Sequence, residues 1–324
     1  TMDSLAYGLN YSEPVRYHPD SIHAELMREK PFDKDLANQR GILDNWRGKI
    51  RKTYRVWRKP KAIFVQCSGG GMKAAYWSFL CLQAADSLTR GKFFDHTVLL
   101  TGSSGGMIGS SFYRELYLRY GQGLEDSLSN PKYLEWLGSD LLNPVATTIA
   151  LNDLLLRLQY FESDGHKYPK DRGYAFEQSL SENLQGYMDK RLIDYAALEA
   201  SGVIPQLIFS PTILNDGRRL IIGTQPLSFF SLPMREGADP YRPALDNVEF
   251  RRLFREQEAD RLFFMSALRM NASFPYILPS VSLPSRPRME ISDAGLRDNY
   301  GGQTGLAYLF HLRQWFAKNT SGVI

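Results

Sequence analysis

Gly102-Ser103-Ser104-Gly105-Gly106 sits between two segments of different periodicity. Ahead of it, Thr97-Val98-Leu99-Leu100 reads as a short buried strand. Behind it, Met107 to Tyr120 carries Ile108, Phe112, Leu116 and Tyr120 at helical i+4 spacing. The run fits Gly-x-Ser-x-Gly, the sharp strand-to-helix turn that presents a serine nucleophile. Small residues let the backbone take strained angles there and let a reacting carbonyl approach Ser104 closely. Taken alone, the same pattern also fits a structural turn.

One β-α-β unit earlier stands a second strand-to-helix junction. Ala62-Ile63-Phe64-Val65-Gln66-Cys67 is an apolar, β-rich run, and Ala75 to Leu88 is helical in pattern. Between them lie Ser68-Gly69-Gly70-Gly71-Met72-Lys73-Ala74. Three glycines at the start of a helix gather unpaired N–H groups beside the positive end of the helix dipole. Such a loop binds an anion, either a phosphate or the oxyanion of acyl transfer. The phosphate-loop signature Gly-x-x-x-x-Gly-Lys-Ser/Thr and the dinucleotide signature Gly-x-Gly-x-x-Gly are both absent.

A third element lies far downstream, in Ser292-Asp293-Ala294-Gly295-Leu296-Arg297-Asp298-Asn299-Tyr300-Gly301. An Asp before a small residue and a glycine shapes a turn. Taken in order, Gly69-Gly70-Gly71-x-Lys73, Gly-x-Ser104-x-Gly and Asp293-Ala294-Gly295 resemble the patatin-like phospholipases. Ala272-Ser273-Phe274-Pro275 is similar to that family's Ala-Ser-x-x-Pro segment. The apolar runs around Asn215-Asp216-Gly217 resemble its hairpin after the nucleophile. The Ser-Gly-Gly-Gly-x-Lys-Ala form is similar to the cytosolic phospholipase A2 branch. The resemblance spans about residues 60 to 310, with a poorly matched stretch from about 121 to 200.

The resemblance implies an α/β fold, a three-layer α/β/α sandwich around a mostly parallel sheet. It implies a Ser–Asp dyad without histidine: Ser104 as nucleophile and Asp293 as base. Gly69, Gly70 and Gly71 would form the oxyanion hole. Gly102, Gly106 and Gly295 would shape the two turns, Lys73 would steady the glycine loop or meet a lipid phosphate, and Asn299 would brace the loop carrying Asp293. Ala74 departs from a position where many members have glycine. The implied activity is a lipid acyl hydrolase of phospholipase A or lysophospholipase type. It needs no cofactor or metal, takes a phospholipid or other lipid ester, and works with peripheral membrane contact.

Two other readings stand beside it. A soluble carboxylesterase would use Ser104, Asp293 and His311, in α/β-hydrolase order. Yet His311 falls in the apolar helical run Leu306 to Trp315, where a packing role fits better. A catalytically silent lipid-surface module is the second. His18, His23, His96 and His166 are isolated, and no His-Glu-x-x-His or paired-Cys spacing occurs.

Composition fits a folded enzyme: 43% hydrophobic and 23% charged residues over 324 positions, enough chain for a large core. The two cysteines, Cys67 and Cys81, read as packing residues and point to a reducing, cytoplasmic setting. No apolar run reaches membrane-spanning length, although Val145 to Leu158 is apolar enough for a buried or interfacial helix. Thr1 ahead of Met2 leaves open a residue left by expression or a cut from a longer, membrane-associated protein.

Residues 1–61 are expected to form an N-terminal arm and 62–324 the catalytic domain, with 121–200 as a helical lid or insertion. Phe229 to Pro243 reads as a further loop near the site. Within the arm, Arg47 to Lys61 holds eight Lys/Arg and no acid, with Trp46, Ile50, Tyr54 and Trp57 on one helical face. Such a segment can lie on an anionic membrane or track nucleic-acid phosphates. It can also pack its aromatic stripe inward and leave its charges in water. The net charge of +4 argues against a nucleic-acid binder.

Overall fold

The computed structural model describes residues 4–324 except 56, 142, 144, 146–147, 149–158, 236–244 and 275–276. The chain enters through β1 (Ser4–Leu5) and two helices, α1 (Pro19–Glu29) and α2 (Phe32–Tyr54). A β-α-β-α run follows: β2 (Lys61–Cys67), α3 (Gly71–Leu88), β3 (Thr97–Gly102) and α4 (Ser104–Gly121). Next come α5 (Lys132–Leu137), a hairpin of Tyr160–Ser163 with His166–Pro169, and α6 (Arg172–Asn183). Four short strands succeed them: β4 (Gln206–Phe209), β5 (Thr212–Ile213), β6 (Arg219–Ile221) and β7 (Asn247–Glu249). The last elements used below are α7 (Phe264–Asn271), β8 (Val281–Leu283), β9 (Met289–Ser292), α8 (Gly302–Asn319) and β10 (Gly322–Val323).

One sheet runs β10-β2-β3-β4, parallel throughout; the other runs β1-β8-β9-β5-β6-β7 with mixed directions. Reciprocal 2.9 Å bonds between Phe209 and Ile222 join the two. Alternation along the strands sorts their side chains to two faces. Val65, Cys67, Leu100 and Leu207 belong to the core that includes Phe79 of α3 and Phe112 of α4. Ala62, Leu99 and Ile208 belong to the core with Trp46 of α2 and Leu312 of α8. The expected three-layer α/β/α arrangement with a mostly parallel sheet is therefore the fold observed.

The first sixty residues do not stand apart as an arm. β1 pairs in parallel with β8, 277 positions later, through Ser4↔Val281. Ala6 and Leu9 are buried in the main core, and α2 buries Leu43, Trp46 and Ile50 against the sheet. Within 121–200, α5 and α6 insert Tyr133, Leu137, Phe176 and Leu180 into that core, and the described part of this stretch also holds the 160–169 hairpin. The hairpin expected at Asn215-Asp216-Gly217 is present: β5 and β6 run antiparallel across it, with Gly217 at φ +74°. Most of Val145–Leu158, residues 236–243 of the loop expected at 229–243, and Pro275 lie outside the described residues.

α2 settles the reading of the basic segment. Trp46 and Ile50 face inward, Trp46 Nε1 donates to the Asp95 carbonyl at 3.0 Å, and Tyr54 Oη donates to the Asp95 carboxylate at 2.6 Å. Only Trp57 of the stripe is left in solvent, 92% exposed. Asp95 lies two residues ahead of β3 and Lys61 opens β2, so the basic cluster stands at the N-terminal ends of the strands. Ser104 follows the C-terminal end of β3. Strand rise puts the two ends about 20 Å apart. Of the three readings of this segment, the geometry around Trp46 and Ile50 is that of a stripe packed inward with its charges in water.

Candidate active site

Ser104 is the first residue of α4 and adopts φ +49°, the left-handed region that non-glycine residues avoid. That conformation costs about 1–2 kcal/mol, and it persists because the surroundings leave no alternative. Gly102, at φ +153°, has its Cα against β2, where a Cβ would lie 2.2 Å from the Cys67 carbonyl oxygen. A Cβ on Gly105 would lie 1.7 Å from the Gly71 oxygen, and one on Gly106 would lie 2.3 Å from the Ser68 oxygen. α3 and α4 therefore meet backbone to backbone, and their N-termini converge on Ser104. Replacing Ser104 by glycine should relieve the strain: Ser104→Gly is expected to melt about 2 °C above Ser104→Ala in calorimetry. Equal melting points would show that the turn stores no strain.

The glycine loop lies against the same residue. A Cβ on Gly69 would meet Ser103 Oγ at 2.6 Å, Asn299 Oδ1 at 2.7 Å and Ser104 Cβ at 3.3 Å. Its N–H donates to the Asn299 carbonyl and to Asn299 Oδ1, both at 3.2 Å. Gly69 is consequently a close-approach residue with its donor already engaged, not the free oxyanion donor expected of it. Gly70 (φ +145°) and Gly71 (φ +63°) turn the chain into α3. Among the described residues neither of their N–H groups has an acceptor outside that helix. They stand at the positive end of α3, where the Gly71 carbonyl meets Gly105 of the elbow. Lys73 is exposed and has no hydrogen bond or ion pair with the loop, so the bracing expected of it falls to Asn299. Asn299 also holds the elbow, accepting from Ser103 Oγ on its carbonyl at 2.7 Å and on Oδ1 at 3.0 Å.

Asp293 follows β9 and is 4% exposed. Its Oδ1 accepts the Gly295 N–H at 2.6 Å, and a Cβ on Gly295 would crowd that oxygen to 2.8 Å. Its Oδ2 is buried with no aligned donor. Burial pushes the Asp293 pKa above the ordinary carboxylate value, while the Gly295 N–H and the Ser104 hydroxyl pull it back down. Among the described residues no aligned hydrogen bond joins Ser104 to Asp293 Oδ2. Catalytic contacts in unliganded sites are often unaligned in this way.

Asn271, at the end of α7, was not singled out from the sequence. It is fully buried, donates from Nδ2 to the Gly102 carbonyl at 3.1 Å, and accepts the Ser210 N–H at 3.1 Å. Its own carbonyl accepts the Ala294 N–H at 3.3 Å. One side chain and its backbone thereby tie the elbow to the loop that carries Asp293. Its position just ahead of Ala272-Ser273 was the available signal.

His311 lies on the third turn of α8, packs on the Phe229 ring at 5.8 Å, and hydrogen-bonds the Leu232 backbone. Burial, helped by Arg313, lowers its pKa to about 4, so it is neutral at physiological pH. Neither Ser104 nor Asp293 is among its partners, which removes the geometric basis for a Ser-His-Asp triad. His18 caps α1, and His96 contacts the Lys61 carbonyl at the other end of the sheet. Among the described residues no three His, Cys, Asp or Glu side chains gather as a metal site, and no helix is long and apolar enough to cross a membrane.

No family model and no curated protein matches the chain. Among solved structures, it is similar to human GIVD cytosolic phospholipase A2 in complex with methyl gamma-linolenyl fluorophosphonate. That match has 17% identity and a TM-score of 0.36, over 59% of this chain and 27% of the other. A second structure of the human GIVD enzyme aligns with 13% identity and a TM-score of 0.40, over 84% of this chain and 47% of the other. The chain thus spans between about a quarter and a half of the length of these structures.

Proposed function

We propose that the chain is a serine hydrolase that cleaves carboxylic esters of lipids through a Ser104–Asp293 dyad. The observation that carries this reading is Ser104 held at φ +49° on a helix N-terminus, with the buried Asp293 carboxylate on a loop that Asn271 ties to the same elbow. Lys30 and Arg55 take similar angles as the left-handed caps that end helices, whereas Ser104 takes its angle at the start of one. In the proposed reaction the Asp293 carboxylate takes the Ser104 hydroxyl proton as Oγ bonds to the ester carbonyl carbon. The oxyanion is received by the N–H groups of Gly70 and Gly71, each such donor being worth about 2.7–4 kcal/mol in the transition state. The C–O bond to the alcohol breaks, and Asp293 returns the proton to that oxygen. Water then attacks the acyl-serine and gives a proton to Asp293; the bond from the acyl carbon to Ser104 Oγ breaks, Asp293 returns the proton to Oγ, and the free acid leaves.

A lipid substrate, of the phospholipase A or lysophospholipase kind, is supported by the ordered glycine-loop, serine and aspartate motifs. It is also supported by exposed apolar residues on the segments that carry the site, Trp77 of α3 and Tyr300 beside Asn299 among them. Peripheral contact with a membrane follows from such a substrate. The test is product analysis by mass spectrometry on vesicles of phosphatidylcholine and of lysophosphatidylcholine with defined chains. Free fatty acid is expected in step with the deacylated phospholipid. Diacylglycerol with a released phosphate head group would contradict acyl-ester chemistry. Turnover of a soluble aryl ester alone would restrict the protein to a general esterase.

A further inference from the structure

A cavity of about 490 Å³, a size common for small-molecule sites, lies well away from Ser104. Lys190 lines it and bonds Glu115. Glu115 stands eleven residues beyond Ser104 on α4, a helical rise of about 16 Å. Four aromatic residues from distant parts of the chain line the same space: Tyr7, Phe161, Tyr174 and Phe263. Tyr7 meets Phe161 edge to face at 5.0 Å, and Phe161 meets Tyr174 at 4.8 Å. Met265 of α7 and Glu177 of α6 also line it, and both are buried. Glu177 Oε1 is already matched, by Arg269 Nε at 2.6 Å and Ser266 Oγ at 2.8 Å. The buried part of the lining is thus aromatic and apolar surface around one neutralised carboxylate.

The charges nearer solvent are not balanced. Asp189 and Asp194 line the cavity and are exposed. Asp189 Oδ2 accepts the Ser181 hydroxyl at 2.6 Å, and Asp194 Oδ2 accepts the Arg191 N–H at 2.8 Å. Among the described residues neither carboxylate has a cationic side chain as partner. The two cations on the lining are held by acids from outside it, Lys190 by Glu115 and Arg191 by Asp164. Three of the rings also lie under cations of the protein: Tyr7 under Arg269, Tyr174 under Lys170 and Phe263 under Arg191. The rings therefore suit an apolar body, and the two cation-free carboxylates suit a positive charge. We infer that this cavity binds a small organic cation, an ammonium carried on an aromatic or aliphatic body. The body sits among the rings, and the ammonium meets Asp189 and Asp194. An anion would face two unpaired carboxylates and only cations that are already paired. The site is separate from the proposed chemistry at Ser104 and does not depend on it.

The experiment is a saturation-transfer NMR titration with three probes of similar size: phenethylammonium, phenethyl alcohol and hydrocinnamate. The ammonium is expected to bind saturably, at least about tenfold tighter than the alcohol, with the carboxylate weakest. Asp189→Asn combined with Asp194→Asn should lower the ammonium affinity to that of the alcohol. The melting temperature should not change, because Asn keeps an oxygen for the Ser181 hydroxyl and for the Arg191 N–H. Tyr174→Ala should weaken ammonium and alcohol alike, by about tenfold. Ser104→Ala should bind as the parent does. Four results overturn the inference. One is no saturable binding of the ammonium. Another is undiminished binding by the folded double Asn variant, which would move the cation elsewhere. A third is tighter binding of hydrocinnamate than of the ammonium, which would give the cavity to an anion held by Lys190 and Arg191. The last is loss of ammonium binding in a folded Ser104→Ala protein, which would place the cation at the dyad.

Discussion

Ser104→Ala is expected to fold normally and to lose ester hydrolysis by at least about 10⁴-fold in kcat, measured on a soluble aryl ester and on phospholipid. The size follows from the chemistry. The proposed route passes through a covalent acyl-serine, and the nearest other hydroxyl, Ser103 Oγ, is fully buried and committed to Asn299. A methyl group in place of the hydroxyl removes no hydrogen bond on which the fold depends, so the melting temperature should move by no more than about 1–2 °C. Substantial turnover by a well-folded Ser104→Ala protein would move the chemistry to another residue.

Asp293→Asn is expected to come within about tenfold of that loss, because residues acting as one unit fail together. Asn keeps an oxygen for the Gly295 N–H but cannot take the serine proton. The pH dependence follows from the raised pKa. The base must be ionised, so kcat/KM of the parent falls as pH drops through the folded-state pKa. Its acid limb therefore lies above the ordinary value of 3.8. The stability effect has the opposite sense. The folded state holds this proton more tightly than the unfolded chain does, so ionisation costs folded stability above pH 3.8, in full once the raised pKa is passed. Asp293→Asn removes that cost. The variant should be at least as stable as the parent at neutral pH and lose the advantage as pH falls through the same window. His311→Gln should keep most activity, since the ring faces Phe229 and the Leu232 backbone. An acid limb at the ordinary carboxylate value, or a collapse of activity in His311→Gln with an unchanged melting temperature, would contradict the dyad.

The elbow and the glycine loop were legible in the sequence because close backbone approach leaves glycine little competition. Gly105 faces the Gly71 oxygen, and Gly102 faces Cys67. Strand β3 and helix α4 announce themselves by period, and both occur where the pattern puts them. What the sequence hid is non-local. β1 has two residues and pairs with β8, a contact no local period encodes. The stripe on α2 was visible, but whether it meets the sheet or a membrane depends on what stands opposite, here the loop carrying Asp95. The donor of Gly69 is engaged by Asn299, 230 positions away, so a glycine count alone overstates the oxyanion donors. Asn271 carried no motif, and its role appears only when the Gly102 and Ala294 loops are brought to it.

The central claim is that Ser104 is a nucleophile activated by its surroundings. Peptide mapping by mass spectrometry after treatment with a long-chain fluorophosphonate tests it most directly, because that reagent phosphonylates only an activated serine. A single adduct is expected, on the peptide containing Ser104. No adduct is expected in Ser104→Ala, labelling should slow at least about a hundredfold in Asp293→Asn, and His311→Gln should label at the parental rate. A folded parent protein that takes no label, or that takes it on a serine other than Ser104, would contradict the account.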